Sequence, residues 1–434
     1  MLSDTDSGTI VVLKYYLYRA VGGPGFIAPI YVLYLLSNGL SYAELGAIGA
    51  IQGVIVLAGE IPTGYVGDRI GRRNSLLVAQ VLLTGSAVGM ILASSFLAFT
   101  VSFGLLSFAM TFVSGSDDAW LYDILQEHLD EDRYTHVRGR GGAVGQWVTA
   151  ATMIAGSLLY VVEPIYPFVA VLAMRVLTFL VVLTLPKTAR FANGRGNANE
   201  EGESNDGAAQ NDRLTIVDAL PIIRRKLTEP PLRSFVAYVA LFIGLTMPAN
   251  AYVQPITVDA LESSVGSALA AAGIPEAASL GVLYASFTAV SAIASDRASD
   301  LEAAFGVRKA LLVVPVVTGA MMVLPALLSV LAFPMFFVLR GSRSILRPIT
   351  GQYVNDHVES VGRATVLSAV SMVYSLARIP TTFASGVVAD WFSPLLSVAA
   401  LGGTFLVIGL ALFAWRPPVE KESVVGAPEG VAAE

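Results

Sequence analysis

The sequence predicts an all-α polytopic membrane protein, with twelve transmembrane helices in two pseudo-symmetric six-helix halves. Three observations carry this. Hydrophobic residues fill 55% of the 434 positions and charged residues only 14%, a balance too apolar for ordinary soluble domains. The apolar residues fall in blocks of about 20 or more, the length of a helix that crosses a bilayer. Lys and Arg gather in alternate connections between these blocks, as in a chain threaded back and forth through a membrane.

The spans lie near residues 10–36, 43–66, 74–96, 98–124, 140–162, 165–186, 233–257, 276–296, 308–330, 331–353, 363–389 and 393–415. The opening Met1-Leu2-Ser3-Asp4 and the interruptions Lys14 and Arg19 do not read as a cleavable signal peptide. Arg69, Arg72 and Arg73 fall in the second connection, Arg133, Arg138 and Arg140 in the fourth, and Arg297, Arg308 and Lys309 in the eighth. Ser37–Tyr42 and Gln254–Pro275, in odd-numbered connections, carry no Lys or Arg. Both termini are therefore expected in the cytoplasm, and the chain in the plasma membrane.

Residues 1–186 form the first half, 187–230 a linker, 231–416 the second half and 417–434 a disordered cytoplasmic tail. The linker turns to Asn, Gly, Glu and Ser, as in Asn193–Asp212, and is too polar to offset the entropy of ordering. Leu214–Leu227 has helical apolar spacing and ends in Arg224-Arg225-Lys226. It reads as an amphipathic interfacial helix or as an unstructured basic patch. The halves look duplicated. Pro24 and Pro248, Asp68-Arg69 and Asp296-Arg297, Gly115-Ser116 and Gly341-Ser342, and Gly139-Arg140 and Gly362-Arg363 recur at offsets of 224, 228, 226 and 223.

Between spans 2 and 3 runs Gly64-Tyr65-Val66-Gly67-Asp68-Arg69-Ile70-Gly71-Arg72-Arg73. Its charges cannot enter hydrocarbon cheaply and mark a membrane boundary. Gly64 and Gly67 are expected to allow close helix approach, and Gly71 to adopt the positive φ of a tight turn. The string resembles the signature G-x-x-x-D-R-x-G-R-R/K of the major facilitator superfamily at every fixed position, and the resemblance covers roughly residues 10–415. It implies alternating access of two six-span halves about a central cavity lined by spans 1, 4, 7 and 10, with spans 3, 6, 9 and 12 as scaffold. It further implies that the hinge gates the cytoplasmic side, with Asp68 near Gly362 and with Arg69 or Arg72 reaching Asp123.

Several chemistries find no support. Cysteine is absent, no lysine follows a glycine, and His128, His136 and His357 all fall at cytoplasmic ends. Thiol chemistry, a phosphate-binding loop and a metal site are therefore not expected, and neither is an enzyme, a bound cofactor or nucleic acid. Gly141-x-x-x-Gly145 reads as a helix-packing motif, not as a dinucleotide site.

Intramembrane charge is what remains: Glu60, Asp117, Asp118, Arg175, Arg340, Arg343, Arg347 and Arg378. Each is costly unless paired or hydrated. Arg340, Arg343 and Arg347 follow i, i+3, i+7 and share one face of span 10. Asp117 and Asp118 stand about 100° apart and cannot face the same neighbour. By resemblance, Arg343 and one aspartate face the substrate path, while Arg175, on a scaffold span, is structural. Tyr15, Tyr18, Arg19 and Gly22 share one side of span 1, and Asn250 and Gln254 one side of span 7, as cavity lining or as helix-to-helix hydrogen bonds.

The string Ser114–Asp123 looks like the span-4 motif of drug-exporter-like members, although span 4 lacks an arginine and span 5 lacks G-x-x-x-G-P-x-x-G-G. The expected activity is secondary transport of a small molecule by a bilayer-embedded monomer, with a small-molecule efflux permease and a non-transporting sensor as alternatives. The cationic stripe points to an anionic solute. A desolvated Asp117 or Asp118 would carry a coupling proton. Positions 117 and 343 correspond under the 226-residue offset, and Asp117 is expected to pair with Arg343 across the halves.

Overall fold

The computed structural model describes residues 4–128, 133–188, 232–271, 275–358 and 363–419. The linker from 189, including Leu214–Leu227, lies outside the described residues, as do Gly362 and the tail from 420. Every described element is helical. In the first half α1 (Asp4–Val21) and α2 (Tyr31–Ser37) make span 1, followed by α3 (Tyr42–Ile70) and α4 (Arg72–Leu92). Span 4 is α5 (Phe96–Ser114) with α6 (Asp117–His128), and α7 (Tyr134–Val162) and α8 (Tyr166–Thr184) complete the half.

In the second half α9 (Leu232–Thr246), a 3-10 turn (Pro248–Tyr252) and α10 (Val253–Ala271) make span 7. The helices α11 (Glu276–Asp296), α12 (Ala298–Val323), α13 (Ala332–Asp356), α14 (Arg363–Trp391) and α15 (Pro394–Trp415) follow. Eleven described segments are long and apolar enough to cross a membrane by themselves. Span 1, in two pieces, is the twelfth.

Local chemistry sets the helix ends. The Ser41 hydroxyl accepts the Glu44 N–H and the Glu44 carboxylate accepts the Ser41 N–H, a capping box that starts α3. Gly71 ends it at φ +89°, a conformation open to glycine. Gly306, at φ +73°, likewise separates the first turns of α12 from its membrane part.

The two first helices depart from the expected unbroken spans at 10–36 and 233–257. Gly22-Gly23-Pro24 stops α1 because proline has no N–H and disfavours helix in the residue before it. Pro248 does the same to span 7. The carbonyls freed at the breaks take side-chain donors. Val21 accepts from Thr178 (3.1 Å), Gly22 from Arg175 (2.9 Å), and Gly244 from Thr381 (2.6 Å). Each break is thus satisfied by a neighbouring span, as backbone in a membrane requires.

The halves meet at the end of the bundle opposite the chain termini, through α3 on α14 and α7 on α11. Glycines permit the approach. A β-carbon on Gly46 would sit 2.8 Å from the Thr382 carbonyl oxygen, and one on Gly281 2.7 Å from that of Met153. Asp390, in the last turn of α14, accepts the Tyr42 and Ala43 N–H groups at 2.7 and 2.8 Å and caps the first turn of α3. Toward the termini the facing helices part: Tyr65 is 58% exposed, and β-carbons on Gly64 and Gly351 would meet nothing within 4 Å.

Candidate functional site: a cationic cavity between the halves

Four cavities of about 420, 370, 470 and 530 Å³ share walls along the interface and into the second half. Arg340 lines three of them. Buried polar atoms without a hydrogen-bond partner ring this space: Gln80 Oε1, Asp117 Oδ1, Asn250 Oδ1, Arg340 Nε and Tyr374 Oη. Their clustering marks a volume shaped for polar contents.

On the first-half side, Arg19 Nη1 lies 2.7 Å from Asp117 Oδ2. Asp117 opens α6, where the helix N-terminus favours an anion, and both residues line the 420 Å³ cavity with Tyr18 and Gly22. Asp118 turns away and takes a bidentate pair from Arg138 Nε and Nη2, both at 2.7 Å, with about half of each side chain exposed. The expected Asp117–Arg343 pair is corrected here: Asp117 is satisfied by Arg19 within its own half. Tyr15 packs under Gly141, and Arg19 beside Gly145, so these glycines bring α7 against α1.

On the second-half side, Arg340, Arg343 and Arg347 stand on one face of α13 and line the 530 Å³ cavity. Arg378 of α14 shares the 470 Å³ cavity with Arg340 and Arg343, and its guanidinium lies beside Gly53 of the first half. Arg340, Arg347 and Arg378 each repel Arg343. Among the described residues none of the four has an ion pair or a side-chain hydrogen bond, and no carboxylate lines these three cavities. Arg340 finds only ring faces, 5.7 Å from Tyr284 and 5.4 Å from Phe287.

Asn250 and Gln254, placed on one face by helical spacing, take separate roles because Asn250 sits inside the 3-10 turn and Gln254 in α10. Asn250 lines the central cavities. Gln254 is fully buried and latches the halves, accepting from Val32 N (2.8 Å) and Leu33 N (3.2 Å) and donating to Ala28 O (2.9 Å). Arg175, read as scaffold, both caps α1 and lines two cavities.

In the hinge, Gly67 packs against Ser75 and Ser116, whereas Gly64 faces open space and supports no close approach here. Asp68 takes Arg72 at 2.8 Å, and Arg72 also donates to the Gly115 carbonyl at 3.0 Å. Arg73 donates to the Val182 and Leu183 carbonyls at the end of α8. Two hinge arginines therefore close helix C-termini inside the first half. Arg69 lies over Tyr65 at 4.5 Å. Asp123 sits on α6, half-buried, and Gly362, the expected neighbour of Asp68, lies outside the described residues.

Sequence reasoning missed Asp390. Its signal was an acid in the last turn of a helix, where the dipole disfavours it unless another helix N-terminus receives it.

The family model of the Major Facilitator Superfamily matches residues 19–283, well over half of the chain and inclusive of the hinge. The chain belongs to the major facilitator superfamily. The MFS-type transporter YxaM of Bacillus subtilis (strain 168) is 25% identical over 198 residues, 43% of this chain and 47% of that protein. The chain thus spans about half the length of this curated relative. The nucleoside transporter NupG superposes with a TM-score of 0.74 at 13% identity, covering 94% of this chain and 98% of NupG. A bacterial homolog of the human lysosomal transporter Spinster gives 0.67 at 15% identity, covering 94% and 97%. These likenesses extend the superfamily fold over both halves. By family and by its many apolar helices the chain is a multi-pass membrane protein, and the relatives named here are described as transporters.

Proposed function

We propose that the protein is a secondary active transporter that moves a small anionic solute by alternating access, holding it between the halves at Arg340, Arg343 and Arg378. One observation supports this above the others: four guanidinium groups line two adjoining cavities in which no carboxylate stands among the described residues. Unpaired charge in a low-dielectric site is costly, and an anionic solute would offset that cost when bound.

The Lys/Arg pattern assigns the termini to the cytoplasmic side of the plasma membrane. Closure at the opposite end then supports an inward-open monomer, with the Gly64–Arg73 hinge as its cytoplasmic gate. Asp117 is the better proton carrier of the two aspartates, since its free oxygen is buried beside the cavity while both oxygens of Asp118 are held by Arg138. A proton on Asp117 would release Arg19 into the same cavity. The string around Asp117 supports placement in the drug-exporter-like subgroup.

Counterflow in proteoliposomes against a panel of anions, cations and neutral solutes tests the reading. Anions alone should exchange, and Arg343→Gln should abolish their exchange. Exchange of neutral solutes or cations that survives Arg343→Gln would refute it.

A further inference from the structure

We infer that the body of the transported anion lies inside the second half, in the 530 Å³ chamber walled by α9, α13 and α14, and that the solute is an amphipathic organic anion. This rests on the reading of Arg340 and Arg343 as the anion site, and adds the chemistry of the rest of the molecule. The wall of α13 carries Arg340, Arg343 and Arg347, while Val239, Phe242, Leu367 and Val370 face the same chamber from α9 and α14. Among the described residues no acid lines it. The Tyr374 hydroxyl and Arg340 Nε are buried at its edge without hydrogen-bond partners.

This combination separates two kinds of anion. A chamber of 530 Å³ falls within the range that holds organic ligands of drug size. An inorganic anion would occupy a small part of it and leave the apolar wall against water, with no gain from burying Phe242 or Val370. A carboxylate on a ring or a short hydrocarbon would meet both chemistries at once, its head on the guanidinium groups and its body on the apolar wall. The stripe also has a direction. Arg347 is exposed, and Arg340 stands where three of the cavities join, about 10 Å away along the helix by its rise per residue. An entering carboxylate meets Arg347 first and settles at Arg343 and Arg340.

Gly351 offers a way to fill the chamber selectively. It lines the chamber, and a β-carbon there meets nothing within 4 Å. Gly351→Phe therefore puts a ring into the space proposed for the solute body without forcing the backbone aside.

The test uses the full-length protein in a neutral detergent, titrated by calorimetry with naphthoate, acetate, inorganic phosphate, the neutral naphthalenemethanol and short-chain phosphatidylglycerol. Naphthoate should bind at least about tenfold more tightly than acetate or phosphate, from the apolar area it buries. Naphthalenemethanol should bind far more weakly than naphthoate. Arg343→Gln should weaken every anion, and Gly351→Phe should lower the naphthoate-to-acetate affinity ratio by about tenfold. The wild-type ratio stands as a test even if that variant fails to fold. Equal affinity for naphthoate and acetate, both lost in Arg343→Gln, would keep the anion site and overturn the amphipathic solute. A ratio that Gly351→Phe leaves intact would place the body elsewhere and equally overturn it. Tighter, Arg343-dependent binding of phosphatidylglycerol than of naphthoate would assign the chamber to lipid instead. Absence of any anion binding, with Arg343→Gln silent, would remove the anion site itself.

Discussion

Each half of this protein carries charge inside the membrane, but the two treat it differently. In the first half Arg19 lies on Asp117 and Arg138 on Asp118, each at 2.7 Å, and Arg175 is held by the Gly22 carbonyl, so each of these cations has a partner from the fold. In the second half Arg340, Arg343, Arg347 and Arg378 surround shared space with no carboxylate in its walls among the described residues. A paired charge is held by the fold; an unpaired one strains it and waits for a partner from outside. On the proposed reading the contrast separates structure and gating in the first half from solute binding in the second, and it holds although sequence offsets relate the halves as copies.

The largest effect should come from breaking the first-half pair. Arg19→Gln and Asp117→Asn each leave a charge stranded, and each should cost about 2 kcal/mol of stability, between the values for exposed and fully buried pairs. The double variant should cost less than the two losses added, as measured by a double-mutant cycle of unfolding in detergent. Simple additivity would mean that the pair is not coupled.

A smaller effect is expected at the closed end. Asp390 joins the halves by capping α3, a contact worth about 1 kcal/mol. Asp390→Asn should shift the population toward opening at that end by several-fold. A single cysteine at Gln52, on the wall of the central cavity of this thiol-free chain, would report it. Its labelling rate from the outside of intact cells should rise, and an unchanged rate would show that Asp390 does not hold the closure.

The smallest effect belongs to Arg138→Gln. Its pair with Asp118 is about half exposed, so stability should fall by less than about 1 kcal/mol and transport should persist. Loss of coupling in this variant would move the proton carrier from Asp117 to Asp118.

Much of the fold could be read from the sequence because hydropathy reports directly on what a bilayer permits. The twelve spans, the turn at Gly71 and the common face of Arg340, Arg343 and Arg347 depend on local composition and helical periodicity alone. The breaks were less legible. Pro24 and Pro248 were visible as matched positions, yet apolar residues continue on both sides, and hydropathy cannot show that Arg175, Thr178 and Thr381 stand ready to take the freed carbonyls. Partner choice was not legible at all. Nothing local tells that Asp117 faces Arg19 rather than Arg343, or that Gln254 turns to the backbone of the opposite half, since both depend on how the spans pack.

The most direct test compares the thermal unfolding of Arg19→Gln and Arg343→Gln in the same detergent without added solute. Arg19→Gln should lower the midpoint. Arg343→Gln, by relieving repulsion from Arg340, Arg347 and Arg378, should raise it by about 1–3 °C while abolishing transport. Opposite signs are the result predicted here. A fall in both, of similar size, would mean that Arg343 is held by the fold as Arg19 is, and the proposed division between the halves would be wrong.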